Sequence, residues 1–171
     1  MKVIPYLHDF IGELPLAIRE EIEAVGSTRH VSKGEAVYRR DDPPTELYRL
    51  LEGAVKLCNY SLDGAEITAG EFGEMGVLDG LPRVSHAVAS KESRLLVLSK
   101  AQFELLCEKY PEIHRELNRV LCRRVRYLYS LNDEALGLKL HVRLGRILHR
   151  LAYSHGRENE LGETYIEISH E

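Results

Sequence analysis

Residues Gly70 to Ala89 read GEFGEMGVLDGLPRVSHAVA, and the reading of this stretch decides the fold. It sets four glycines, three acids, an arginine and a Ser-His pair between two strand-like segments. That composition suits a small anionic ligand better than a core. Gly73 precedes a single short helical turn, Glu74 to Leu78, so the backbone can approach a bound group while the first N–H groups of the turn point outward unpaired. Arg83 follows nine residues after Glu74, beyond the turn Asp79-Gly80-Leu81-Pro82. Its guanidinium fork can complete a phosphate cradle, with Glu74 accepting from sugar hydroxyls. The residues alone also allow a Gly-rich hairpin whose Glu74 and Arg83 form a surface ion pair.

Further segments extend the pattern: VSKGEAVYRRDDPPTELYRLLEGAVKL before the cassette, RLLVLSKAQFELLCEKYPEI after it, and RLGRILHRLA near the end. Together with FGEMGVLDGLPR they resemble the cyclic-nucleotide-binding regulators related to the cyclic-AMP receptor protein and the fumarate-nitrate regulator (CRP/FNR). FGEMGVLDGLPR is similar to that family's phosphate-binding cassette, and the other segments to its first barrel hairpins, its last strand with the interdomain helix, and the helix opening its DNA-binding domain.

The resemblance implies an α+β fold: an antiparallel β jelly-roll barrel with flanking helices and a long C-terminal dimerisation helix. It implies an effector domain over 1–110, a dimerisation helix over 111–137 and the start of a winged-helix DNA-binding domain over 138–171. Family contacts carried over place Gly73, Glu74 and Met75 at the ribose side and Arg83 at the cyclic phosphate of cyclic AMP or another cyclic nucleotide. The hydroxyl residue that follows the arginine in the family is Val84 here, with Ser85 one place later; strand alternation would turn that hydroxyl to the opposite face. Leu128 and Tyr129 stand where the cyclic-AMP receptor protein has small hydroxyl residues, and Tyr129 can cap a base or fill an empty pocket. About half a strand is missing before Gly70 relative to the family. The implied partners are a second copy, DNA through a helix-turn-helix that would begin beyond Ser169, and RNA polymerase in the full-length protein. The chain is thus expected to be the sensing part of a regulator, not an enzyme.

At 171 residues and 44% apolar, the chain can bury one core, or one core plus part of another. Its apolar runs, such as Leu95 to Leu98, are too short for a bilayer, and Pro5, His8 and Asp9 break the start as a signal peptide, so a cytoplasmic location without membrane is expected. Cys58, Cys107 and Cys122 show no C-x-x-C spacing and read as reduced, mostly buried thiols. No His lies two residues from another, against a cupin-type metalloenzyme; His86 is the one His placed for an axial haem contact. The net charge of −4 divides unevenly: residues 111–151 hold nine Lys and Arg against four acids, leaving the remainder at −9. An acidic sensor joined to a basic segment that meets nucleic acid fits this split, as do solvated helix faces.

In chain order, Glu13-Leu14-Pro15 opens a helix with Leu14, Ile18, Ile22 and Val25 on one face, ending at Gly26. Short Val-, Tyr- and Leu-rich strands follow from Val31 to Tyr60, then a hairpin turn at Leu62-Asp63-Gly64, and after the cassette strands over Ser85–Ser90 and Arg94–Leu98. Ser99 caps a helix to about Tyr110. The helix from Pro111 carries a heptad seam, Leu117, Leu121, Leu128, Leu131, Ala135 and Leu138, which suits pairing across a two-fold axis or packing on the chain's own barrel. Beyond a hinge at Gly137, Lys139, Arg143, Arg146 and Arg150 line one edge of the next helix, suited to a DNA backbone or to water. Thr164 to Ile168 reads as a strand. A cyclic-nucleotide module of a kinase or channel is the alternative to the regulator.

Overall fold

The computed structural model describes residues 9–58, 65–67, 70–159 and 161–165. The elements are α1 (Leu16–Val25), β1 (Ser27–Val31), β2 (Ala36–Tyr38), β3 (Glu46–Glu52), β4 (Val55–Cys58), β5 (Ala65–Ile67), β6 (Gly70–Phe72), α2 (Glu74–Asp79), β7 (His86–Ala89), β8 (Ser93–Ser99), α3 (Lys100–Lys109), α4 (Pro111–Gly137), α5 (Leu140–His155), β9 (Arg157–Glu158) and β10 (Thr164–Tyr165). The first eight strands form two four-stranded antiparallel sheets, ordered β1-β8-β3-β6 and β2-β7-β4-β5. Successive strands alternate between the two sheets except in the hairpin β4–β5, which is the jelly-roll arrangement the resemblance implies.

Alternation along the strands explains two cores. In β8, Leu95 and Val97 face the barrel interior with Val31, Tyr38, Tyr48, Val55 and Phe72. Leu96 and Leu98 face outward, against Phe10, Ile11, Ile18, Ile22, Phe103 and Leu106. The unbroken apolar run Leu95–Leu98 thus marks a strand buried on both faces. β5 ends at Ile67 in one sheet and β6 begins at Gly70 in the other. The chain therefore changes sheets within a few residues, where the family has a longer strand.

Helix boundaries follow their local chemistry. Pro15 is the N-cap of α1, whose buried residues are Ile18 and Ile22. Leu14 is buried as expected, but Val25 is 38% exposed, because α1 ends there and its last turn lies beyond the core. Ser99 closes a capping box on α3, accepting from Gln102 N–H while its own N–H donates to Gln102 Oε1.

The described residues fall into two compact units, one running to Leu121 and the other from Cys122 onward. In the second unit α5 follows α4, and Thr164–Tyr165 pair with Arg157–Glu158 as a short hairpin. Of the strand expected over Thr164–Ile168, residues 166 onward lie outside the described residues, as do the turn Leu62-Asp63-Gly64 and the side chains of Ala135 and Arg150. No helix among the described residues is long and apolar enough to cross a membrane.

Candidate functional site

β6 delivers Phe72 into the barrel interior and hands the chain to Gly73, which adopts φ 84° and stands as the N-cap of α2 without a side-chain cap. A Cβ at Gly73 would lie 2.9 Å from Arg83 Nη1 and 3.3 Å from a Tyr48 ring carbon. Glycine is required there for both backbone angle and space. α2 closes at Gly80, φ 74°, whose N–H returns to Gly76 O, and Leu81 N–H then donates to Asp79 Oδ1 at 2.9 Å. Gly76 is equally constrained: a Cβ would meet Pro44 Cβ at 2.6 Å and Leu81 O at 2.9 Å.

Glu74 and Arg83 are 3% and 4% exposed, which overturns the alternative of a surface ion pair. The Arg83 guanidinium donates through Nη1 to Gly73 O and through Nη2 to Glu46 O. Its Cζ lies 4.5 Å from the centre of the Tyr38 ring and 5.9 Å from that of Tyr48. Its Nε–H is buried and has no hydrogen-bond partner among the described residues. A buried donor without an acceptor costs about 1–3 kcal/mol, so this N–H stands ready for an acceptor from outside the chain.

The ring beneath Arg83 belongs to a column. Tyr38 stacks on Tyr48 at 5.8 Å and Tyr48 on Phe72 at 5.3 Å. Burial pushes the Tyr38 phenol up to about 12, with Arg83 pulling it down, Glu74 pushing it up and a Ser85 hydrogen bond pulling it down. Tyr48 donates to Glu46 Oε2 at 2.6 Å, and burial together with that carboxylate raises its phenol well above the ordinary range.

β7 starts at His86, just past Val84 and Ser85. Val84 is 58% exposed and Ser85 half-buried, so the two neighbours differ in exposure. Met75 is 47% exposed. His86 Nδ1 accepts the Arg40 N–H at 3.2 Å, and no group of His, Cys, Asp or Glu suited to a metal occurs among the described residues.

Behind the cassette lies a cluster the sequence did not announce. Glu71, 2% exposed, accepts the N–H groups of Phe10 at 2.9 Å and Ile11 at 3.1 Å. Arg49 approaches it at 3.7 Å and also pairs with Asp9 at 2.9 Å and Glu23 at 3.4 Å. Burial, then the Asp9 carboxylate, raises Glu71 well above the usual carboxylate range.

Along α4 the side chains differ in exposure from turn to turn. Leu117 is 1% exposed within the core of the barrel unit, and Leu121 packs against that core, so neither is open to a second copy. Leu131 is half-buried. The exposed stripe is Cys122, Val125, Tyr129, Asn132 and Leu136, with Leu128 beside it. Each of its last four members follows a predicted seam residue or its heptad equivalent by one place, a rotation of about 100° around the helix. Val125, Leu128, Tyr129 and Asn132 line an open groove of about 330 Å³. On α5, Lys139 is the N-cap and Arg143 is half-buried, while Arg146 pairs with Glu134 at 2.9 Å and so is partly neutralised.

Residues 28–110 match the family described as "Cyclic nucleotide-binding domain". The chain carries a cyclic nucleotide-binding domain. Among relatives, a CRP-like cAMP-activated global transcriptional regulator of Mycobacterium tuberculosis is 28% identical over 132 residues, covering 74% of this chain and 59% of that protein. A cyclic nucleotide-gated potassium channel of Mesorhizobium japonicum is 32% identical over 98 residues, covering 57% of this chain and 27% of the channel. The crystal structure of the N-terminal domain of a transcriptional regulator from Streptomyces coelicolor superposes with a TM-score of 0.59 at 26% identity, covering 81% of this chain and 99% of that one. The chain thus spans less than two thirds of these full-length relatives.

Proposed function

We propose that this chain is the effector-sensing and dimerisation portion of a CRP/FNR-type transcriptional regulator, which binds a cyclic nucleotide at the cassette and controls DNA binding allosterically. The observation that carries the ligand reading is Arg83: a guanidinium 4% exposed, at the end of a glycine-shaped cassette, with one buried N–H lacking an acceptor. A cyclic phosphate supplies the acceptor, and Glu74 at the head of α2 takes the ribose hydroxyls. Cyclic AMP is the first candidate, since the M. tuberculosis relative is named as cAMP-activated.

Calorimetric titration with cyclic AMP and cyclic GMP tests this. We expect micromolar or tighter binding of one of them, lowered at least about 100-fold in Arg83→Ala, as removal of a charged hydrogen-bonding group at a buried site implies. No heat with either nucleotide would overturn the cyclic-nucleotide reading.

The regulator reading is favoured over a channel module by the extent of similarity. The match to the regulator runs for 132 residues, well past the 28–110 domain, whereas that to the channel runs for 98. In this reading α4 pairs two copies through its exposed stripe, effector binding changes that pairing, and the DNA-binding segments reorient about Gly137. Lys139 and Arg143 contact the DNA backbone, and Arg146 does so on leaving Glu134. The double substitution Val125→Asp and Tyr129→Asp is expected to convert a dimer to a monomer in sedimentation-equilibrium runs at micromolar concentration. A dimer unaffected by both charges would move the interface elsewhere.

A further inference from the structure

We infer that Tyr38 is the positioning residue of the cassette arginine. The guanidinium of Arg83 is fixed from three directions. Tyr38 lies under its plane at 4.5 Å, and its two Nη groups donate to Gly73 O and Glu46 O. Those carbonyls belong to the segments that carry the ring column: Gly73 directly follows Phe72, and Glu46 lies two residues before Tyr48 on β3. The ring column and the two acceptors therefore come from the same backbone, and together they set the direction of the unpartnered Nε–H.

Tyr38 is 9% exposed, so its ring is confined. Removing the ring lets the guanidinium turn about its last torsions, and the Nε–H loses its fixed direction.

The anion itself rests on the function proposed above, so the test has one readout that needs no ligand. In nitrogen-15 spectra of the ligand-free protein, the Arg83 Nε–H resonance, assigned by its loss in Arg83→Lys, should show nuclear Overhauser contacts to the Tyr38 ring protons. It should keep its shift in Tyr38→Phe and move in Tyr38→Leu and Tyr38→Met. Titration with cyclic AMP should give about ten-fold weaker binding in the Leu and Met variants and near wild-type binding in Tyr38→Phe, in line with a buried cation–ring contact. Absence of the contacts in the wild-type protein, or an unmoved resonance in either ringless variant that still melts cooperatively, overturns the inference. If the wild-type protein takes no cyclic nucleotide while the resonance behaves as expected, the nucleotide reading fails and the positioning role stands.

Discussion

Replacing Glu71 by Leu is expected to lower the unfolding free energy of the barrel unit by about 4 kcal/mol, because it strands buried groups on both sides. On one side the Phe10 and Ile11 N–H groups lose their acceptor, and each buried orphan donor costs about 1–3 kcal/mol. On the other, Arg49, with a side chain 15% exposed, loses the most buried of its three carboxylate neighbours. Urea unfolding measures the loss; a value under about 1 kcal/mol would mean that these N–H groups find water instead.

Glu71 also gives the wild-type protein a pH dependence of definite sign. Its folded-state pKa is raised well above the ordinary 4.5, first by burial and then by Asp9. The folded chain thus holds this proton more tightly than the unfolded chain does. The resulting stabilisation is fully present below the unfolded value and is lost as pH rises through the folded one. Stability should fall on raising the pH above 4.5, and Glu71→Gln should flatten that slope. Asp9 acts in a separate window. Burial pushes its carboxyl up, but hydrogen bonds to Glu71, Arg49 and the Gly12 N–H outweigh this and hold it below 3.8, so its contribution is lost only as pH falls through that lower value.

Gly53→Ala is expected to cost about 3 kcal/mol or more, by a different mechanism. Gly53 sits at φ 96° between β3 and β4, where the chain passes from one sheet to the other. An added Cβ would lie 2.4 Å from both Glu92 O and Ser93 Oγ and 2.7 Å from Ser93 Cα. Ser93 cannot yield, because its buried hydroxyl accepts the Ala54 N–H and donates to Ala54 O. Gly34 and Gly80 have φ values of 85° and 74° but nothing within 4 Å of the added atom. Alanine there should cost only about 1 kcal/mol, the backbone penalty alone. Thermal melts of the three variants separate the two effects; equal losses would show that the turn after β3 relaxes around the methyl group.

The barrel was legible because local chemistry and global fold agree along it. The glycines of the cassette, the Ser99 cap and the apolar run Leu95–Leu98 each point to one structure without distant information. What escaped prediction depends on contacts remote in sequence. Glu71 lies between Gly70 and Phe72 in a short strand and reads as an outward acid; only the arrival of Phe10 and Ile11 makes it an acceptor. The Tyr38–Tyr48–Phe72 column joins three strands and leaves no periodic trace. On α4 the first turns bury Leu117 in the barrel unit, while its later turns expose another face, and one heptad cannot describe both.

The pairing of β1 with β8 has a consequence for how the molecule is made. Ser27 lies opposite Val97 and Val31 opposite Ser93, so the first strand waits some seventy positions for its neighbour. During synthesis the first sheet cannot close until Ser99 has emerged from the ribosome. Until then β3 has only β6 beside it, since β8 is the strand between β1 and β3. A chain wired in this way folds late and slowly, with apolar strands held open to chaperones while it waits.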